Sequence, residues 1–192
     1  MRQTTIAVFF LTLFAGTAVA GAFEEAVLAH QRGDYAAAMQ LYTIAAEDGN
    51  AYAQYNLGFM YANGHGVPQS YAEAMWWYRW AAEKGHAGAQ YNLGVMYDIG
   101  QGVPPDHLEA VKWYREAGRR GLVEALLNLA FMYANGQGVE QDYVQAYMYF
   151  NLVLSQGVKG AGVRHSRDAV AKNMTPAQID EAEKLALEWR PL

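Results

Sequence analysis

The chain has no cysteine, so neither a disulfide framework nor thiol chemistry is open to it, and its stability must come from packing. Serine is nearly absent too. Ser70, Ser155 and Ser166 are the only ones, and none sits in Gly-x-Ser-x-Gly or Ser-x-x-Lys, where a serine nucleophile is activated. The five histidines, His30, His65, His86, His107 and His165, show no His-Glu-x-x-His or other tight ligand spacing, so no metal is expected. Charged residues make up 17% of the chain and the balance is acidic, which argues against nucleic acid, since that needs Lys and Arg gathered on one face. Gly64-His65-Gly66 lacks the strand that a nucleotide fingerprint requires, and no cofactor is expected. Glu24-Glu25 and Glu181 with Glu183 read as solvated helix faces with no cleft to make them a catalytic pair. No catalytic residue is nominated, and the chain reads as non-enzymatic.

Long apolar runs are confined to one place. Residues 1–20 begin Met1-Arg2, pass through Ile6-Ala7-Val8-Phe9-Phe10-Leu11-Thr12-Leu13-Phe14 and end on the small-x-small site Ala18-Val19-Ala20. This is the pattern of a secretory signal peptide cleaved after Ala20, and the run is shorter than the ~20 residues a spanning helix needs. A periplasmic or secreted protein with no membrane anchor after cleavage is the expectation. The whole chain has 14 basic residues against 19 acidic, a net charge of −5, and cleavage would remove Arg2 and leave 13 against 19, or −6. With 53% hydrophobic residues the chain is no disordered polyelectrolyte.

What the sequence has in abundance is repetition. Tyr61-Ala62-Asn63-Gly64, Tyr97-Asp98-Ile99-Gly100 and Tyr133-Ala134-Asn135-Gly136 recur at a spacing of 36, each followed by Gly-Val. A fixed period of a few tens of residues marks stacked units that cannot bury their apolar faces alone. The full units run over residues 51–86, 87–122 and 123–158. In the first, Ala53, Leu57, Met60 and Tyr61 fall on one side of a helix. A second helix carries Ala74/Ala110/Ala146, Trp77/Trp113/Tyr149 and Tyr78/Tyr114/Phe150, and ends at Gly85, Gly121 and Gly157. Small residues at Gly58, Gly94 and Ala130 let neighbouring helices approach closely. Residues 21–50 read as a shortened capping hairpin turned at Gly33-Asp34-Tyr35. Residues 159–192 read as C-terminal capping helices, the last starting at Thr175-Pro176-Ala177-Gln178.

The run Ala-Gln-Tyr-Asn-Leu-Gly-x-Met-Tyr at 53–61 and 89–97, followed by Gly-x-Gly-Val and Ala-x-x-Trp-Tyr, closely resembles the Sel1-like repeat. The resemblance covers about residues 22–158. It implies an all-α, right-handed solenoid of antiparallel helix hairpins related to tetratricopeptide repeats, used as an adaptor or scaffold, often by exported bacterial proteins. The third unit departs with Leu126-Leu127 for Gln-Tyr, Ala130 for Gly and Tyr149-Phe150 for Trp-Tyr, keeping size and apolarity. The cysteine-rich branch of the family, parts of which act on β-lactams, relies on disulfides that this chain lacks.

A ligand-binding face follows from the helical angle. Residues 52, 55, 56, 59 and 63 fall within about 100° of one another, away from Ala53, Leu57, Met60 and Tyr61 and expected not to meet the partner helix. By similarity to tetratricopeptide proteins this is the concave face. It comprises Tyr52, Tyr55, Asn56, Phe59 and Asn63, then Tyr91, Asn92 and Val95, then Leu127, Asn128, Phe131 and Asn135. Two readings stand: the aromatics contact an extended peptide with the asparagine amides beside its backbone, or they pack between adjacent first helices with the asparagines bonded internally. The Trp76-Trp77-Tyr78 and Trp80 group reads as packing, with Trp76 and Trp80 also spaced to form an exposed patch. The sequence predicts an exported adaptor that binds a protein or peptide, of no stated identity, through the concave face. A periplasmic regulator of an envelope sensor or cell-wall enzyme is the alternative, and a hydrolase of a cell-wall or β-lactam substrate is the alternative from another class.

Overall fold

The computed structural model describes residues 21–158 and 160–192, and the predicted signal peptide lies outside them. Among the described residues there are ten helices and no strand. They divide into two compact units that meet in sequence at His86–Ala87. The described part of the first unit holds α1 (21–31), α2 (Tyr35–Glu47), α3 (Ala51–Asn63) and α4 (Tyr71–Glu83). The second holds α5 (Ala87–Ile99), α6 (His107–Arg119), α7 (Val123–Asn135), α8 (Tyr143–Ser155), α9 (Ala161–Ala171) and α10 (Pro176–Glu188).

Local chemistry sets where each helix begins and ends. Asp34, Ser70, Asp106 and Asp142, spaced by 36, each accept a backbone N–H of the first turn, which satisfies a donor with no partner inside the helix. Asn50 caps α3 in the same way, whereas Leu122 at the start of α7 offers no such oxygen. The first helices of two repeats end on left-handed glycines, Gly64 (φ +69°) and Gly136 (φ +67°). The loops then close on themselves: the backbone N–H groups of Ser70, Asp106 and Asp142 donate to the carbonyls of Tyr61, Tyr97 and Tyr133 at 2.8–2.9 Å. Thr175 and Gln178 form the reciprocal capping box that starts α10. Trp189 is the residue that ends it.

The hairpins are held by a ring laid on a missing side chain. In the first unit a Cβ on Gly58 would come within 2.6 Å of the Tyr78 ring, and in the second a Cβ on Gly94 within 2.6 Å of Tyr114 Cε1. The third repeat pairs Ala130 with Phe150, both fully buried. Tyr114 is fixed at its far end as well: its hydroxyl donates to Asp98 Oδ2 at 3.4 Å and meets the Asn128 amide. Burial, with the Asp98 carboxylate next, pushes its ionisation well above the ordinary tyrosine range. Phe150 has no hydroxyl to hold it in place, and this is the repeat in which the extra methyl is accommodated.

In both units the loop that joins the two helices of a hairpin packs on the start of the preceding repeat's second helix. A Cβ on Gly66 (φ +75°) would lie 2.7 Å from Tyr35 Cβ, and one on Gly138 (φ +67°) would fall on the His107 carbonyl. These two glycines answer to space and to backbone angle together.

Two stability predictions follow from these contacts. Gly94→Ala is expected to lower stability by about 1–3 kcal/mol, the usual range for overpacking, and adding Tyr114→Phe to recover part of that loss, in urea melts followed by circular dichroism. Gly138→Ala is expected to cost more than Gly136→Asn, because asparagine tolerates the left-handed region and a Cβ at position 136 meets nothing closer than 3.4 Å.

Candidate functional site

The structure sets the predicted face on the first helix of each repeat, and the two units present it separately. In the first unit Tyr52 stands out, 63% exposed, Tyr55, Asn56 and Phe59 are half-buried, and Asn63 is exposed. In the second unit Tyr91, Asn92 and Val95 on α5, and Leu127 and Asn128 on α7, are half-buried, while Phe131 is 40% exposed and Asn135 is exposed.

The expectation that this face would miss its own hairpin partner is corrected. Tyr55 lies with its ring centroid 5.7 Å from Tyr78, Tyr91 lies 5.8 Å from Tyr114, and Phe131 meets Phe150 edge-on at 5.2 Å. The cause is the close approach at Gly58, Gly94 and Ala130, which brings the buried ring of the second helix far enough forward to touch the first helix's outer aromatic. Tyr55, Tyr91 and Phe131 therefore each have one side in the hairpin and one side toward solvent. The asparagines divide as well. Asn128 reaches back to the Tyr114 hydroxyl of the preceding helix, and Asn63 Nδ2 donates to the Phe59 carbonyl of its own helix at 2.8 Å.

Histidines join this face in the first unit, and the spacing argument did not find them. His86 stacks on Tyr55 (4.5 Å, 20°) and stands edge-on to Tyr52 (4.8 Å, 81°). His65, in the α3–α4 loop, stacks on Tyr35 at 4.6 Å and meets Phe59 edge-on at 5.6 Å. His30 of α1 completes the group, with Nε2 3.5 Å from His65 Nδ1. A single N–H···N bond between the two rings is the arrangement this distance permits. Burial, and then the neighbouring charge that a protonated His65 would carry, lower the affinity of His30 for a proton. Burial does the same for His86, opposed in part by a hydrogen bond at its own backbone. The one signal in the sequence was position: His86 is the last residue of its repeat, where the others have Leu122 and Val158.

Chemically this surface is a set of ring edges and faces with asparagine amides and imidazoles between them. Among the described residues no cluster of three or more His, Asp or Glu could hold a metal ion. In the second unit an open groove of about 640 Å³ is lined by Leu108, Arg115, Tyr133, Val139, Glu140 and Asp142. Its guanidinium is already committed, since Arg115 donates to the Tyr133 hydroxyl and lies over that ring. Tyr149, half-buried and stacked on Tyr133, has its ionisation pushed up to about 12, chiefly by loss of solvent.

Capped hairpins of this kind, repeating every 36 residues with aromatic outer faces, define an α-helical repeat protein of the interaction-scaffold class. The Sel1 repeat family profile matches residues 28–50, 51–86, 87–122 and 123–158, and the chain belongs to the Sel1 repeat family. Among solved structures it is similar to a protective antigen present in uropathogenic Escherichia coli strains that displays this fold, with 34% identity, a TM-score of 0.75 and 88% of this chain covered. The chain spans 37% of that antigen's length. It is also similar to a Sel1 repeat protein from Oxalobacter formigenes, at 25% identity and a TM-score of 0.68, covering 85% of this chain and 74% of that one. No curated protein sequence matches it.

A pH dependence is expected from the histidines. In the window below about 6.5 the unfolded chain takes up protons that folded His30 and His86 resist, so stability falls as pH is lowered. Urea midpoints measured from pH 7.5 to 5.5 should decline, and His30→Gln should flatten the decline. An unchanged slope in that variant would place the effect elsewhere.

Proposed function

We propose that this protein is an exported, non-enzymatic adaptor that binds a protein or an extended peptide segment through the first-helix faces of its repeats. The observation that carries the reading is the exposure of Tyr52 and Phe131 on a face whose other rings are half-buried. Their inner neighbours are supported by packing, so the exposed rings are held rigidly and lose little freedom on contact, which is what makes aromatic residues effective at interfaces. Membership of a family of interaction scaffolds supports the same conclusion. Export rests on the signal-like residues 1–20. Similarity to a protective antigen of uropathogenic Escherichia coli strains supports the same reading. Among the described residues no helix is long and apolar enough to cross a membrane.

The test is capture by crosslinking in the source cell, comparing wild type with Tyr52→Ser and Phe131→Ser. Both rings are exposed enough that the fold should survive, which melting checks. One partner captured by wild type and reduced about tenfold in yield by either substitution supports the face as the site. Equal capture by all three proteins removes it.

A further inference from the structure

We propose that the outer face of α4 docks a basic amphipathic helix of a partner protein. This surface is separate from the stripe on the first helices and does not depend on it.

Glu73, Trp76, Trp77, Trp80 and Glu83 fall at i, i+3, i+4, i+7 and i+10 of α4, within about 120° of one another. Trp76 and Trp80 are 46% and 41% exposed, with ring centroids 4.4 Å apart, and Trp76 meets Trp77 edge-on at 4.6 Å. Trp77 is rooted in the core of the first unit. The result is a fixed indole platform with a carboxylate one turn before it and another one turn after. Neither Glu73 nor Glu83 makes an ion pair among the described residues. The basic group on the same face, Lys84, donates to the Gly49 carbonyl at 2.6 Å, and Arg79, at the edge, has an interaction of its own.

The other repeats identify what such a face receives. In the second repeat the positions of Trp76 and Trp80 are Lys112 and Glu116, each ion-paired within its own helix to Glu109 and Arg119, and that face is solvated. In the third repeat they are Met148 and Leu152, 5% and 4% exposed, because α9 and α10 lie on α8. Ile179, Ala182, Leu185 and Ala186 of α10 belong to that core, and the Tyr147 hydroxyl donates to Glu183 at 3.4 Å. The chain thus covers an apolar pair in this register with an amphipathic helix.

Charge fixes the difference between the two faces. The covering helix α10 carries Asp180, Glu181, Glu183 and Glu188 against Lys184, and α8 has Gln145 and Ser155 where α4 has Glu73 and Glu83. An acidic helix suits α8 and would be repelled at both ends of the indole platform. A helix with two or three apolar residues on one face and Lys or Arg flanking them fits α4, with the tryptophans as the contact centre.

The experiment uses the full chain and a fluorescein-labelled peptide of residues 175–188 with Asp180→Lys, Glu181→Lys and Glu183→Lys, read by anisotropy. The unmodified 175–188 peptide is the acidic control. Saturable binding of the basic peptide at least tenfold tighter than the control is expected. It should fall at least tenfold in Trp76→Lys/Trp80→Glu, which carries the residues of the second repeat. A second variant, Glu73→Gln/Glu83→Gln, touches no packed atom and should weaken binding several-fold and flatten its salt dependence. Tyr52→Ser should leave the peptide affinity unchanged, so loss of either surface is read independently of the other. Absence of saturable binding, equal affinity for both peptides, or full affinity in the tryptophan variant overturns the proposal. So does a wild-type dimer in sedimentation that the tryptophan variant lacks, which would make a second copy the occupant. Partition of wild type onto phosphatidylglycerol vesicles, lost in the same variant, would assign the face to lipid and overturn it too.

Discussion

A ring pressed onto a residue with little or no side chain is the contact on which each hairpin depends. Gly58 under Tyr78 and Gly94 under Tyr114 leave no room for a methyl group. Without that space the two helices would stand further apart and the alanines at 74 and 110, both fully buried, would face a gap they are too small to fill. Glycine in a helix interior costs about 0.5–1 kcal/mol relative to alanine. The repeat accepts that cost because a tyrosine ring buried against a backbone returns more, on the order of 1.5–3 kcal/mol for a large apolar side chain. The same contact orders what lies outside it. A ring brought this close to the first helix becomes the floor on which Tyr55, Tyr91 and Phe131 rest, so the packing that closes the hairpin also aims the exposed face.

The crossing between repeats is solved in two ways within one chain. In the first unit Gln54, 1% exposed, sends its Nε2 to the Ala46 carbonyl at the end of the preceding helix at 3.0 Å. Its Oε1 is left buried without a partner, a cost on the order of 1–3 kcal/mol. In the third repeat the position of Gln54 is Leu126, and on the helix before it the position of Ala46 is Gly118. There a Cβ on Gly118 would come 2.8 Å from Leu126 Cδ2. A directed hydrogen bond is exchanged for closer apolar packing, and the glycine supplies the room that the leucine takes. The glutamine fixes the register by direction and the leucine by shape.

Hairpins and caps were legible in the sequence because they depend on local spacing, which an exact period of 36 exposes at once. Thr175-Pro176-Ala177-Gln178 is visible as a helix start before any coordinate is known, and the structure adds the caps Asp34, Ser70, Asp106 and Asp142 at the same period. The failures share a cause. A helical wheel gives the direction in which Tyr55 points but not how far the neighbouring ring reaches, and that reach is set by the absence of a side chain twenty residues away, at Gly58 beneath Tyr78. The His30–His65 pair escaped for a related reason, since residues 35 apart belong to successive repeats and meet where the loop at Gly66 settles on Tyr35. For Asn128 the structure shows the internally bonded arrangement, one of the two that the sequence left open, and its bond to Tyr114 belongs to a chain of polar contacts through Asp98.

A repeat protein that must bind and also stay folded has to separate the residues that do each job, and here the division runs through single side chains. Tyr114 anchors by its hydroxyl and supports by its face, so the polar chain Asn128–Tyr114–Asp98 holds the floor of the stripe level while its upper surface stays apolar. Asp98 is doubly used, since His107 Nδ1 lies 2.9 Å from its other oxygen and joins the end of α5 to the start of α6. The third repeat omits the polar anchor and has Phe150 in place of tyrosine. It has α9 and α10 packed on α8 instead, a rigidity supplied from outside the hairpin. Polar anchoring where a hairpin must be positioned from within, and apolar cover where the chain can supply another helix, are alternative means to the same end. Their distribution along the chain explains why the repeats share a backbone pattern but not a common set of buried polar groups.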